Sequence, residues 1–417
     1  IEREITDYLT RKVDIGNGIL YSQNDLARRI QIFETQTLMS GKIDSQGNYK
    51  YWFDIITPRI DSEVKNIDFD TKDVEIYSER KIDFLPSLIS NLKLKEFMRD
   101  TGIAEKINSD IEKGSGWGNI VWKKVKGSYE SMDLRNFFVI NQTAETLEET
   151  PVIERHTMSQ SELRAKAGVW EYVQEVIEKC KSNSYSETAE AGGGDTTVPY
   201  YEIFERNGEV SVYDLEEFNG KNPNEKDMEK YVLAKVVAAG KKGNAAGIEI
   251  KYIIFAEELN KKMPDIYKEF HRSRYKGKWL REGLYELLMD CQLRANEIGN
   301  QLARGLEWSS KTIFSSSDKL FVQNILSDLQ SGDVVRAQDL KHISVRMEGF
   351  DQLIADWNRN LALADDIANS REVVQGITPA SGTPLGTTRL LKQNANKLFD
   401  FIREKLSIPL SRIFEEW

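Results

Sequence analysis

The sequence predicts an α+β protein in which a mixed α/β region leads into long helices, and three observations carry this. Short runs of strand-like character, separated by Gly and Asn, recur between Trp117 and Phe255. From Pro264 to Pro379 there is no proline, and apolar residues return every three or four positions. With 417 residues, 40% apolar and 10% aromatic, the chain can bury two or three separate cores.

Along the chain, residues 1–100 read as α+β, with a helix over 23–39 and a strand over 49–56. Gly114-Ser115-Gly116-Trp117-Gly118 precedes the apolar run Asn119-Ile120-Val121-Trp122-Lys123-Lys124-Val125, which predicts a hairpin or small sheet. Residues 133–140 and 152–158 read as further strands. Ser159 and Glu162 have the spacing of a capping box, where each side chain satisfies a free amide at a helix start. The stretch 181–197, rich in Ser, Glu, Gly and Thr, reads as a flexible connection. Strands over 199–204, 210–215, 231–238 and 248–255 predict an antiparallel meander.

The last third changes period. Leu280, Leu284, Leu287, Leu288, Cys291, Ala295, Ile298, Leu302 and Leu306 predict one continuous amphipathic helix. Phe350, Leu353, Ile354, Trp357, Leu361, Ala364 and Ile367 predict a second, over 349–375, up to about 40 Å long at 1.5 Å per residue. Residues 309–347 between them have strand character in three places. Residues 376–388 hold no charged side chain, two prolines and three glycines, and read as a loop. A third amphipathic helix follows, with Leu391, Ala395, Leu398, Phe399, Ile402 and Leu406. Pro409, which lacks an amide hydrogen, should kink or end it.

The composition narrows the chemistry. A net charge of −10 argues against tight binding to nucleic acid, whose affinity comes from cations that displace counterions. No apolar run approaches the ~20 residues that span a bilayer, so no membrane partner is expected. Cys180 and Cys291 are too few for a disulfide framework and read as small buried side chains. His156, His271 and His342 stand apart without metal-ligand spacing, and the glycines at 114–118 lack the Lys-Ser/Thr of a phosphate loop. The neighbouring acids Asp365-Asp366 and Glu415-Glu416 point in different directions on a helix. No catalytic residue, metal or cofactor is therefore expected, and the chain reads as a non-enzyme. The strongest basic cluster is His271-Arg272-Ser273-Arg274-Tyr275-Lys276-Gly277-Lys278, which makes Arg272, Arg274, Lys276 and Lys278 candidate phosphate contacts. A start at Ile1 and an end at Trp417 within a helical pattern suggest part of a longer protein.

From Gly114 onward the order of features resembles the portal proteins of tailed bacteriophages, the head-to-tail connectors. Asp133-Leu134-Arg135-Asn136-Phe137-Phe138-Val139 and Val152-Ile153-Glu154-Arg155-His156-Thr157-Met158 are similar to the family's wing strands. The segment 275–308, with Gly283-Leu284-Tyr285, Asp290, Gln292, Leu293 and Asn296, resembles the first stem helix and the run leading into it. Residues 376–388, with the step Gly382-Thr383-Pro384, resemble the tunnel loop, and the closing third is similar to portals of crAss-like phages. The resemblance implies a portal-type fold with a mixed α/β wing, long stem helices, a small α/β clip and a long kinked helix. The expected divisions are a wing over 1–270, a first stem helix with its approach over 271–308, a clip over 309–347, a second stem helix over 348–375, a tunnel loop over 376–388 and a long kinked wing helix over 389–417, with the chain incomplete beyond it and the crown outside this sequence.

The resemblance also implies a function. Copies of the chain, usually twelve, would form a ring at one capsid vertex of the virion, assembled in the host bacterial cytoplasm. Double-stranded DNA would be packaged and ejected through its channel without sequence-specific contact. Ile377, Thr378, Pro379, Ser381, Thr383, Leu385 and Thr387 would line the channel. Lys311, Phe314, Phe321, Arg336 and Lys341 of the clip would dock the terminase motor and then a tail adaptor, and the wing would meet the major capsid protein. Two other classes stay open: another phage structural or adaptor protein, and an enzyme of nucleic-acid metabolism.

Overall fold

The computed structural model describes residues 1–38, 40–44, 47–69, 74–76, 80, 84–125, 128–182, 200–221, 224–242, 248–310, 313–315, 341–343, 349–369 and 385–415. The protein is α+β. It divides into two compact units, one comprising Ile1–Thr35, Ile60–Glu286 and Glu372–Trp417, the other Gln36–Arg59 and Leu287–Arg371. Gln36–Arg59 groups with residues 287–371, residues 271–286 group with the first unit, and the C-terminal helix, expected as a wing helix, also groups with the first unit.

The first unit is layered. Its larger sheet is antiparallel, in the order Ile248–Glu258, Tyr231–Lys242, Tyr200–Ser211, Val152–Ser159, Phe137–Val139, with Lys181–Ser182 paired to Tyr201 and Tyr200. The meander is present, with one revision. Residues 200–211 form a single strand, and 210–215 is no separate one, because the Ser211 hydroxyl accepts the Asp214 amide and starts the helix Val212–Phe218. One face of the sheet carries Phe138, Ile153, Phe204 and Ile248, which pack on Ile5 and Tyr8 of the helix Glu2–Thr10. On the other face, Phe137, Val139 and Val152 share a core with Val121 and Tyr267 of a three-stranded sheet, ordered Tyr267–His271, Asn119–Val125, Ser128–Ser131. Side chains alternate along a strand, so Ile120, Trp122 and Phe270 of this second sheet face away. They are buried with Ile107 and Ile111 of the helix Ile103–Trp117, and with Phe399, Ile402, Leu406, Leu410 and Ile413 of the helix Leu385–Glu415.

Several local expectations change. The first long helix of the pattern stops at Glu34 instead of running to Met39. The glycine-rich stretch 114–118 closes the helix Ile103–Trp117, with Gly118 as its cap at φ +90°. A Cβ on Gly114 would overlap Ile120 and one on Gly116 would overlap Tyr285, so these glycines allow close packing and are not a turn signal. The capping box is present: the Ser159 amide donates to Glu162 at 2.7 Å, and Glu162 contributes its own amide in return. The helix Leu385–Glu415 runs through Pro409 and begins at Leu385. Leu385 and Thr387 therefore lie in helix and not in the expected loop.

In the second unit the helix Met289–Ser310 starts later than the apolar pattern suggested, because Leu280 and Trp279 are buried in the first unit's core. It lies antiparallel to the helix Phe350–Ala368: the Asn360 Nδ2 donates to the Cys291 carbonyl at 2.9 Å, and Arg294 pairs with Asp356 at 2.6 Å. Between them in sequence, Ile313–Ser315 and Lys341–Ile343 form an antiparallel pair. Among the described residues, 49–56, expected as a strand, form no ladder with another strand beyond an Ile43–Tyr49 bridge. Three amides of the Met289–Ser310 helix take the place of that ladder. Asn300, Asn296 and Gln292 accept the backbone amides of Tyr51, Phe53 and Ile55 at 2.8, 2.8 and 2.9 Å. Gln292 and Asn300 also donate to the carbonyls of Phe53 and Tyr51 at 2.6 and 2.9 Å. Phe53 rests against Gly299, where a Cβ would overlap its ring, and meets Trp357 edge-on with centroids 5.7 Å apart.

Candidate functional site

The densest polar chemistry lies between the two sheets of the first unit. Glu154 and Glu205 are register partners on adjacent strands, and Lys123 pairs in register with Tyr267 on the facing sheet. The Lys123 Nζ lies 2.8 Å from Glu154 and 2.6 Å from Glu205, and Lys235 reaches Glu205 at 2.8 Å. Asn207 donates to Glu205 at 3.1 Å and to the Tyr267 hydroxyl at 2.7 Å, and that hydroxyl donates to Glu154. His156 approaches Glu154 at 3.2 Å. Burial alone would push the Glu205 carboxyl up, but the Lys123 and Lys235 ammonium groups overcome it and bring it down to about 2. Burial opposes the charge on Lys123 too, and the two carboxylates override it and raise its pKa. For the Tyr267 hydroxyl, burial and the two carboxylates act together, and its pKa rises far above the usual range.

Glu154, His156 and Glu205 offer ligand atoms within 4.8 Å of one another, the one such group among the described residues. Two lysines already neutralise its two carboxylates, and Lys123 bridges them where a metal ion would sit. A dication would have to displace a buried ammonium, so the donor set fits an internal ion-pair network better than a metal centre. Sequence reading passed over this network because His156 was taken in isolation. The available signal was the pattern Glu-x-His on a strand, which puts both side chains on one face. It occurs twice: Glu269 and His271 also pair, at 3.1 Å, and Glu269 accepts the indole N–H of Trp279 at 3.1 Å.

The basic cluster at 271–278 is mostly engaged. Arg272 is buried and forms a two-pronged pair with the buried Glu63, both contacts at 2.7 Å. Lys278 is buried against Glu286. These two cations are corrected from phosphate contacts to interior ion pairs, since their hydrogen-bonding capacity faces carboxylates of the same unit. Lys276 is exposed and pairs with Glu282 at 2.5 Å, and Arg274 is exposed. Arg281 stacks on Tyr275, 4.5 Å from the ring centre. Burial, then the nearby Arg281 and Arg274, hold the Lys405 ammonium below its ordinary range. Of Arg274, the buried Arg281 and Lys405, the sequence reading named only Arg274.

The other expected site residues are barely reached. Lys311, Phe321 and Arg336 of the clip, and Ile377, Thr378, Pro379, Ser381 and Thr383 of the channel loop, lie outside the described residues. The backbones of Phe314 and Lys341 lie in the paired strands of the second unit, opposite His342 and Ser315. Cys180 and Cys291 are buried thiols, as expected. Among the described residues no helix is long and apolar enough to cross a membrane. No family model and no curated protein matches the chain.

Proposed function

We propose that the chain is the wing, stem and clip of a tailed-phage portal, a ring-forming conduit for double-stranded DNA. One observation carries the reading. Two antiparallel helices, Met289–Ser310 and Phe350–Ala368, belong to a unit of their own, and the chain between them includes the strand pair Ile313–Ser315 and Lys341–Ile343. A helix, a small strand-bearing segment and a returning helix support a stem–clip–stem reading, and the long helix Leu385–Glu415 with its internal Pro409, coming next in the chain, supports it too. The buried polar network of the first unit favours the same reading over an enzyme, because its carboxylates are neutralised by lysines in place. In this reading residues 376–384 face DNA loosely, without cations that moving phosphates would have to leave. The clip serves the terminase and later the tail adaptor, and the layered first unit meets the capsid protein.

The test is the mass and shape of the purified protein. Light scattering should give a mass of many chains, near twelve, and electron micrographs should show closed rings with a central hole. A mass of one or two chains under every solution condition refutes the proposal.

A further inference from the structure

The helix Phe84–Thr101 carries an exposed apolar face on one side and lines a groove with the other. On one, Phe84, Leu85, Leu88, Ile89 and Leu92 are 68%, 65%, 45%, 51% and 63% exposed. At 3.6 residues per turn these five side chains fall within an arc of about 140°, which Lys95, Glu96 and Arg99 continue, with Arg99 paired to Asp100 at 3.6 Å. They form a continuous stripe with a charge-balanced end. On the opposite arc, Ser90, Lys93, Leu94, Phe97 and Thr101 form one wall of a groove of about 1400 Å³. Leu406, Ser407, Leu410 and Ser411 of the C-terminal helix form the facing wall. The charged residues of the groove are Asp68, Glu75 and Glu415 against Lys93 and Arg403, so it is net acidic.

We propose that the stripe Phe84–Leu92 of one copy seats in this groove of a second copy, and that this contact joins neighbouring subunits. The proposal rests on the ring reading above and names the surfaces that would build the ring. Two properties support it. The occupant and the receptacle lie on the same unit but on opposite faces of one helix, so a copy cannot satisfy itself and must pass the contact on. A contact between two different surfaces is heterologous and closes into a ring when the rotation allows. Finally, the stripe alone exposes on the order of 600 Å² of apolar side chain, a large share of the roughly 800 Å² per partner of a stable interface. A patch of that size left bare is unusual for a monomer.

The stripe residues are exposed, so Leu88→Asp with Leu92→Asp should leave the fold intact, read by circular dichroism and an unchanged melting curve at low concentration. This stripe variant should lose all species above the single chain. Ser407 is exposed on the opposite wall, and Ser407→Trp should fill the groove with the same loss of assembly. The decisive measurement mixes the two. The stripe variant keeps a groove and the groove variant keeps a stripe, so the mixture should form a one-to-one pair and nothing larger. Leu88→Cys with Ser407→Cys in one chain should give a ladder of oxidised oligomers that reducing agent dissolves. Rings of unchanged mass in the stripe variant, or no pair in the mixture, overturn this contact and leave the ring reading standing. Wild-type chains that stay single under all conditions overturn both. Binding of the wild type to anionic lipid vesicles, abolished by the stripe variant while rings persist, also overturns it, in favour of a membrane as occupant.

Discussion

Replacing Glu63 with Gln should destabilise the first unit severely, and the size follows from the geometry around Arg272. The Glu63 side chain is 1% exposed and that of Arg272 8%, and two contacts of 2.7 Å join them. Glutamine keeps one acceptor oxygen but removes the charge and offers an N–H where the guanidinium needs a lone pair. Removing one partner of a buried pair costs about 3–5 kcal/mol, because the remaining charge is left uncompensated away from water. Removing both is different. Arg272→Met with Glu63→Leu should return most of the loss, to within about 1–2 kcal/mol of the wild type, since apolar groups of similar volume need no partner. Urea unfolding followed by tryptophan fluorescence reports the relevant unit, because Trp117, Trp122 and Trp279 are all buried there. A loss below about 1 kcal/mol for Glu63→Gln would refute the reasoning, and so would additive losses in the double replacement. Either result would return Arg272 to the pool of cations able to meet a phosphate.

The amide ladder and the buried carboxylates give two further tests. Asn296→Ala should cost about 1–3 kcal/mol by leaving the Phe53 amide without an acceptor, and hydrogen exchange should show that amide losing protection while amides of the first unit keep theirs. In acid, the Glu205 carboxyl, held at about 2 against an ordinary 4.5, contributes stability in full above pH 4.5 and loses it as the pH falls towards 2. The wild type should therefore lose stability more steeply than Glu205→Gln across that window, and parallel curves would count against the lysines as the cause.

Much of the architecture was legible because period and composition act locally. The antiparallel meander, the capping box of Ser159 and Glu162, and the helical character of the last third all follow from spacing within a few residues. What misled was long-range. Gly114 and Gly116 read as a turn because nothing nearby in sequence shows that Ile120 and Tyr285 press against them. Residues 49–56 read as a strand because they are extended, while their hydrogen-bonding partners lie some 240 positions on, at Gln292, Asn296 and Asn300. The basic cluster at 271–278 read as a patch because the acids that consume Arg272 and Lys278 lie outside it, at Glu63, 209 positions away, and at Glu286. Charges so paired carry no local mark.

The ladder of Gln292, Asn296 and Asn300 also behaves as a vernier between two rulers of unequal pitch. Four residues of helix rise about 6.0 Å, while two residues of extended chain rise about 6.4–6.8 Å. Each rung therefore falls behind by roughly half an ångström and turns about 40° around the helix, since four residues make slightly more than one turn. Three rungs spread that error within the reach of an amide side chain, and the longer Gln stands at one end. A fourth cannot repeat the pattern. Position 304 carries Arg, which leaves the series and pairs with Asp44 at 2.7 Å, and position 288 carries a fully buried Leu. The ladder thus measures out a fixed length of extended backbone, five residues from Tyr51 to Ile55, whatever side chains that backbone bears. Inserting one residue between Phe53 and Ile55 would move the last rung out of phase, without changing the character of any side chain in the segment.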